Sequence, residues 1–173
     1  MNNSVTMAIA SALVDRSLIA FMFNFRGVGG SQGTFGGGID EQDDIAAAIS
    51  WLTSQPEVDI DKIGLAGYSF GAIVVLPVAC NNERVKTMAL ISLPMEQSQA
   101  SQLKDCTMPK LLISGSKDFL VSPQNAERIY QEAAEPKQFE IVPGADHFWW
   151  GYEMAMAQKV ANFLITSLGQ TNT

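Results

Sequence analysis

The sequence predicts an α/β fold, a three-layer sandwich. A mostly parallel sheet of about five strands lies between two layers of helices, in one domain spanning residues 1–173. Three observations predict it. Short apolar runs alternate with longer stretches whose apolar residues recur every three or four positions. The short runs are almost continuously apolar, as strands buried on both faces require. No linker, repeat or low-complexity tract divides the 173 residues, a length that suits one domain able to bury about 70% of its unfolded surface.

The elements follow in order. Asn3–Arg16 reads as an amphipathic helix. Leu18–Phe25 is the first strand candidate, followed by a glycine-rich stretch. Asp40–Thr53 reads as a helix with acids at its positive dipole end, an apolar stripe of Ile45, Ala48, Ile49 and Leu52, and Pro56 beyond its stop. Lys62–Tyr68 is a strand and Phe70–Cys80 a helix, with Pro77 expected to kink it after its first turn. Thr87–Leu93 and Lys110–Ser114 are strands. Ser122–Ala134 is a helix with a serine N-cap, Pro123 at its first position, and a stripe of Ala126, Ile129, Tyr130 and Ala133. Gln138–Val142 is the last strand, and Met154–Leu168 the last helix.

Composition narrows the function. Hydrophobic residues make up 47% and charged residues 17%, so the chain is not intrinsically disordered. The net charge of -7 argues against nucleic acid or an anionic membrane as partner. One histidine and two cysteines leave almost no room for a zinc site, and no metal or cofactor is expected. Cys80 and Cys106 form no disulfide framework, and nothing in the sequence indicates a bridge between them. The longest apolar run, Ala72–Cys80, is far short of the ~20 residues of a membrane span, and no basic region precedes the first apolar residues. A cytoplasmic protein is expected.

Gly67-Tyr68-Ser69-Phe70-Gly71 is a G-x-S-x-G motif. It falls between a predicted strand and a predicted helix, the strand–turn–helix context that exposes the serine hydroxyl. Both glycines are expected to be needed, because a side chain at either would crowd the turn. A serine nucleophile requires a base, and the base an orienting acid. The only histidine, His147, sits just past the last strand, and Asp118 just past Lys110–Ser114, at the same predicted edge of the sheet. Asp146 is the rival acid, but adjacent side chains in an extended loop point apart. Arg26 reads as an anchor for its own loop. Phe119, Phe148, Trp149 and Trp150, around the acid and the histidine, are candidates for an apolar substrate wall.

These motifs resemble the α/β-hydrolase superfamily, and in particular small lidless bacterial esterases similar to dienelactone hydrolases. Arg26-Gly27-Val28-Gly29-Gly30-Ser31 resembles its R-G-x-G-x-S loop. Asp59–Gly64 followed by Gly67-Tyr68-Ser69 resembles the run into its elbow. Gly115-Ser116-Lys117-Asp118 and Gly144-Ala145-Asp146-His147-Phe148 resemble its acid and histidine loops. The order Ser69, Asp118, His147 is that of the superfamily. The resemblance implies Ser69 as nucleophile, His147 as base, Asp118 as its orienting acid and the Phe70 N–H as an oxyanion donor, acting on a small-molecule carboxylic ester or thioester. The serine, where dienelactone hydrolases carry cysteine, argues for ester chemistry. The short segment between Leu93 and Lys110 implies no lid.

The resemblance also implies a difference. Relatives place three strands before a helix like Asn3–Arg16, whereas this sequence opens on the helix, so an N-terminally truncated version of the fold is expected. One strand position between Leu18–Phe25 and Lys62–Tyr68 would stand open by about 10 Å, which favours pairing with another copy as a homodimer. It also removes one source of oxyanion donors. A hydrolase skeleton serving as a catalytically impaired binding or scaffold protein is therefore the alternative function. A dinucleotide-binding loop at Gly27-Val28-Gly29 is disfavoured, because the third glycine of the fingerprint falls on Gln32.

Overall fold

Apolar runs become strands and amphipathic stretches become the layers that cover them. The structure, a computed structural model, describes residues 3–94 and 97–169. Along them run α1 (Ser4–Val14), α2 (Glu41–Leu52), β1 (Ile63–Tyr68), α3 (Phe70–Cys80), β2 (Val85–Ile91), α4 (Gln97–Asp105), β3 (Lys110–Gly115), α5 (Pro123–Glu132), β4 (Lys137–Val142) and α6 (Glu153–Ser167). The strands are all parallel and lie in chain order, β1-β2-β3-β4.

Successive residues of β2 and β3 point to opposite faces, and both faces are buried. On one face Ala89, Ile91, Leu111 and Ile113 meet Val5, Ile9 and Ala12 of α1 and Met156, Val160 and Leu164 of α6. On the other, Met88, Leu90 and Leu112 meet residues of α2 to α5, among them Ile45, Leu76, Leu103 and Ile129. Helices α1 and α5 start where a side chain satisfies a free amide. Asn3 accepts from the Thr6 N–H at 3.1 Å, and Ser122 from the Asn125 N–H at 3.2 Å. Among the described residues, no helix is long and apolar enough to cross a membrane.

Three expectations need correction. Leu18–Phe25 is extended but pairs with no strand, so the sheet of the described residues has four strands rather than about five. A parallel strand needs a neighbour's backbone, and the place beside this segment is open. Aromatic contacts hold it instead: Phe21 lies 5.0 Å from Trp51, and Phe25 lies 5.8 Å from Phe70. Second, α4 was not expected. Its sequence is mostly polar, yet Ala100 and Leu103 are buried and dock it on the core. Third, Cys80 and Cys106 are joined as a disulfide, with Cα atoms 5.2 Å apart. It ties the end of α3 to the residue after α4.

Between the segment 18–25 and the free edge of β1 lies a slot of about 620 Å³. Helix α3 runs through Pro77 without interruption.

Candidate active site

The elbow is built by steric exclusion. Ser69 sits between β1 and α3 with φ 52° and ψ -117°, a conformation L-residues rarely adopt. Its N–H is held by the Ile91 carbonyl at 2.9 Å, and its own carbonyl accepts from Ala72 at 2.9 Å. A Cβ on Gly67 would stand 2.5 Å from the Gly71 carbonyl oxygen and 2.7 Å from the Ala72 backbone, so this position must be glycine. Gly71 differs from the expectation. A Cβ there meets nothing within 4 Å, because the space beside it belongs to the slot. The amides of Phe70 and Gly71 lie in the first turn of α3, where no intrahelical acceptor exists.

The acid loop and the histidine loop are tied to each other. The Ser116 N–H donates to the Val142 carbonyl and the Lys117 N–H to Ala145, both at 2.9 Å, and the Gly144 N–H donates to Ser116 Oγ at 2.8 Å. Gly115 lets them approach, since a Cβ there would strike the Ala145 carbonyl. Asp118 is buried, and its Oδ1 accepts the N–H groups of Leu120 at 3.0 Å and Val121 at 2.9 Å.

His147 is buried between the two other groups. Its Nδ1 lies 3.0 Å from both Asp118 oxygens, and its Nε2 lies 2.9 Å from Ser69 Oγ. A carboxylate only accepts, so Nδ1 carries the proton and Nε2 is left to accept from the serine hydroxyl. Asp146 makes no bond to the imidazole, and its Oδ1 is buried without a hydrogen-bond partner.

Sequence reasoning missed the supports. The Tyr68 hydroxyl donates to the His147 carbonyl at 2.9 Å. Burial, followed by the charges of Asp118 and Asp146, pushes the Tyr68 phenol up and keeps it a donor. Tyr68 is a variable position of the motif, so no pattern marked it. Trp149 corrects an expectation. It is fully buried, and its Nε1 donates to Ser92 Oγ at 3.1 Å, so it braces the histidine loop and lines no open surface. Phe119, Phe148 and Trp150 are 64%, 51% and 74% exposed. The first two stand 5.8 and 5.9 Å from the imidazole ring, forming an apolar rim beside it.

Arg26 anchors its loop. It donates to Asp44 through Nε at 3.0 Å and Nη2 at 2.8 Å, and its backbone N–H reaches the same carboxylate at 2.9 Å. Glu41 adds a latch the sequence did not reveal. Its buried carboxylate accepts the N–H groups of Gly36 and Gly38, each at 2.7 Å. The loop so held carries Phe35 to 5.4 Å from Phe70, beside the elbow.

Known proteins carry the same framework. Residues 2–99 match the family model described as X-Pro dipeptidyl-peptidase (S15 family), and residues 75–172 match that of the PhoPQ-activated pathogenicity-related protein. An alpha-beta serine hydrolase homologue from Coxiella burnetii is similar at 31% identity with a TM-score of 0.85, over 94% of this chain and 76% of its own. The chain belongs to the α/β-hydrolase superfamily. An α/β serine hydrolase without a lid from Xanthomonas campestris is similar at 30% identity and a TM-score of 0.85, over 99% of this chain and 77% of its own. An uncharacterised Rickettsia prowazekii protein is 29% identical over 174 residues, 96% of this chain and 73% of its own length. A hydrolase function follows from membership of the α/β-hydrolase superfamily.

Proposed function

We propose that the protein is a serine hydrolase that cleaves small carboxylic esters or thioesters through an acyl-enzyme on Ser69. The observation that carries this reading is the continuous line from the Ser69 hydroxyl through the His147 imidazole to the Asp118 carboxylate, with contacts of 2.9 and 3.0 Å.

The steps follow from the proton inventory. Ser69 Oγ attacks the acyl carbon as His147 Nε2 takes its proton. The negative charge moves to the former carbonyl oxygen, within reach of the Phe70 N–H at the positive end of α3. Collapse breaks the bond to the alcohol or thiol, which leaves with the proton from Nε2. Water then attacks the acyl-enzyme as His147 takes its proton, and the bond from the acyl carbon to Ser69 Oγ breaks as Nε2 returns that proton to the serine, releasing the acid. Asp118 stays ionised, holds the tautomer and stabilises the imidazolium. Phe119, Phe148 and Trp150 offer an apolar face to the acyl or alcohol part of the substrate. No step requires a cofactor.

The open sheet position beside β1 favours a second reading, a hydrolase skeleton used for binding with impaired chemistry. One experiment separates the two. The chain and its Ser69→Ala variant are incubated with a fluorophosphonate probe and a chromogenic short-chain ester. The hydrolase reading expects labelling and turnover from the wild type only, with Asp118→Asn lowering kcat by roughly 10³–10⁴-fold. A folded wild type that neither labels nor turns over the ester supports the binding protein.

A further inference from the structure

Phe119 and Phe148 form an aromatic corner beside the imidazole. We propose that this corner binds the leaving group, so that the protein favours esters and thioesters whose alcohol or thiol part carries an aromatic ring. The inference rests on the hydrolase reading above and adds which half of the substrate is recognised, and by what.

The leaving group's need for a proton fixes where it lies. The tetrahedral carbon formed on Ser69 Oγ carries Oγ itself, the oxyanion, the leaving heteroatom and the acyl chain. The oxyanion turns to the Phe70 N–H. The leaving oxygen or sulfur takes its proton from His147 Nε2, so it comes within about 3 Å of that atom. The acyl chain is left with the direction that points away from both. Groups packed against the imidazole therefore meet the alcohol or thiol part of the substrate.

Nδ1 of that imidazole faces Asp118 at 3.0 Å and Nε2 faces Ser69 at 2.9 Å. Among the described residues, three aromatic rings pack on it: Tyr68 at 5.7 Å, Phe119 at 5.8 Å and Phe148 at 5.9 Å. The Tyr68 hydroxyl is engaged by the His147 carbonyl. Phe119 and Phe148 are exposed and have no such partner. Their centroids are 5.6 Å apart, their planes are inclined at 52° to each other, and they stand at 60° and 80° to the imidazole.

Neither ring carries charge or a hydrogen-bonding group, so the corner selects an apolar group. Two inclined rings suit a third ring best, because aromatic rings pack edge to face or offset with centroids about 4.5–7 Å apart. The corner is also preformed. Phe119 follows Asp118 and Phe148 follows His147, so the bonds from Leu120 and Val121 to Asp118, and from Gly144 to Ser116, hold its two loops in place.

Benzyl acetate and methyl phenylacetate test the proposal on the whole chain. They are isomers with the ring on opposite sides of the ester, so size and composition cancel, and their alcohols are of nearly equal acidity. With each kcat/KM normalised to alkaline hydrolysis, the wild type should favour benzyl acetate by roughly 10-fold or more. Phe119→Ala/Phe148→Ala should bring that ratio towards parity. Phe119→Leu/Phe148→Leu, which keeps apolar volume, replaces it if the alanine pair is not labelled by a fluorophosphonate.

A second readout is independent of how much activity a variant keeps. Acetyl-enzyme formed from p-nitrophenyl acetate is offered equal concentrations of benzyl alcohol and methanol. The captured alcohol's oxygen bonds to the acetyl carbon, and its proton passes to Nε2 and on to Ser69 Oγ as the acyl–Oγ bond breaks. The wild type should yield more benzyl acetate than methyl acetate, and the double variant comparable amounts.

Three results would overturn the proposal and leave the hydrolase reading standing. One is equal normalised rates for the isomers, or no turnover of either by a protein that the fluorophosphonate labels. Another is a preference for benzyl that the labelled double variant retains in both readouts. The third is a loss confined to methyl phenylacetate, which would turn the corner towards the acyl chain. A folded wild type that neither labels nor turns over any ester removes the hydrolase reading, and this inference with it.

Discussion

A serine hydroxyl is useful to His147 only if its backbone accepts the unfavoured geometry at φ 52° and ψ -117°, a conformation of a kind that costs on the order of 1–3 kcal/mol. The neighbours that impose it are not equivalent. Gly67 is enclosed by the backbone of Gly71 and Ala72, with no flexible atom able to give way. Gly71 has a negative φ and open space where a side chain would go. The two glycines of one motif therefore predict opposite outcomes. Gly67→Ala should lower the melting temperature and abolish probe labelling at Ser69, because the turn must open to admit the methyl group. Gly71→Ala should fold at least as well as the wild type, gaining up to roughly 0.5–1 kcal/mol from the loss of glycine in a helix. Thermal unfolding and fluorophosphonate labelling of the pair decide it. Equal damage from both substitutions would mean that the turn is governed by something other than the contacts around Gly67.

One element that presents the site, the loop from Arg26 to Asp40, has no regular structure of its own and depends on carboxylates. Hydrogen bonding to Arg26 holds the Asp44 carboxyl below its ordinary value of 3.8. Burial pushes the Glu41 carboxyl up, but the Gly36 and Gly38 amides and the charge of Arg26 outweigh it, so it too lies below its ordinary 4.5. A carboxyl whose value is lowered by folding contributes stability above its unfolded value and loses it as the pH falls through the folded one. The melting temperature should therefore drop as pH is taken from about 5 towards 3, and in Glu41→Gln the drop should be shallower. Calorimetry across that range measures both slopes, and identical slopes would remove Glu41 from the latch. This loop also marks where the sequence stopped being informative. Four of the five strand candidates were legible because burial writes continuous apolar runs, and the meeting of Ser69, Asp118 and His147 because a lone histidine after the last strand has few other uses. The latch was not, since nothing in Gly36-Gly37-Gly38 shows which carboxylate their amides will meet. Helix α4 escaped for a related reason: among its described residues Ala100 and Leu103 are the buried apolar ones, too few to produce a periodic signal. Trp149 was misread because an aromatic beside a histidine looks the same in sequence whether it faces substrate or the core.

At the scale of the whole molecule, the sheet should be uneven in its resistance to opening. β2 and β3 have bonded neighbours on both sides and helices on both faces. β4 ends one side of the sheet and is only partly buried. β1 ends the other side and is also only partly buried, with Ile63 and Gly67 buried and Ala66 exposed. Hydrogen bonding ranks the amides of β1 that point away from β2 with the loops. Exchange reports bonding, because an amide with no acceptor needs no opening event to exchange. About half the amides of Ile63–Tyr68 should therefore exchange much faster than those of Met88–Ile91 and Leu111–Ile113. The β1 amides that point at β2 should keep pace with β2. Residue-resolved exchange by NMR distinguishes the two sets within one strand. Uniform protection along β1 would mean that its free edge is closed in solution, and the slot with it.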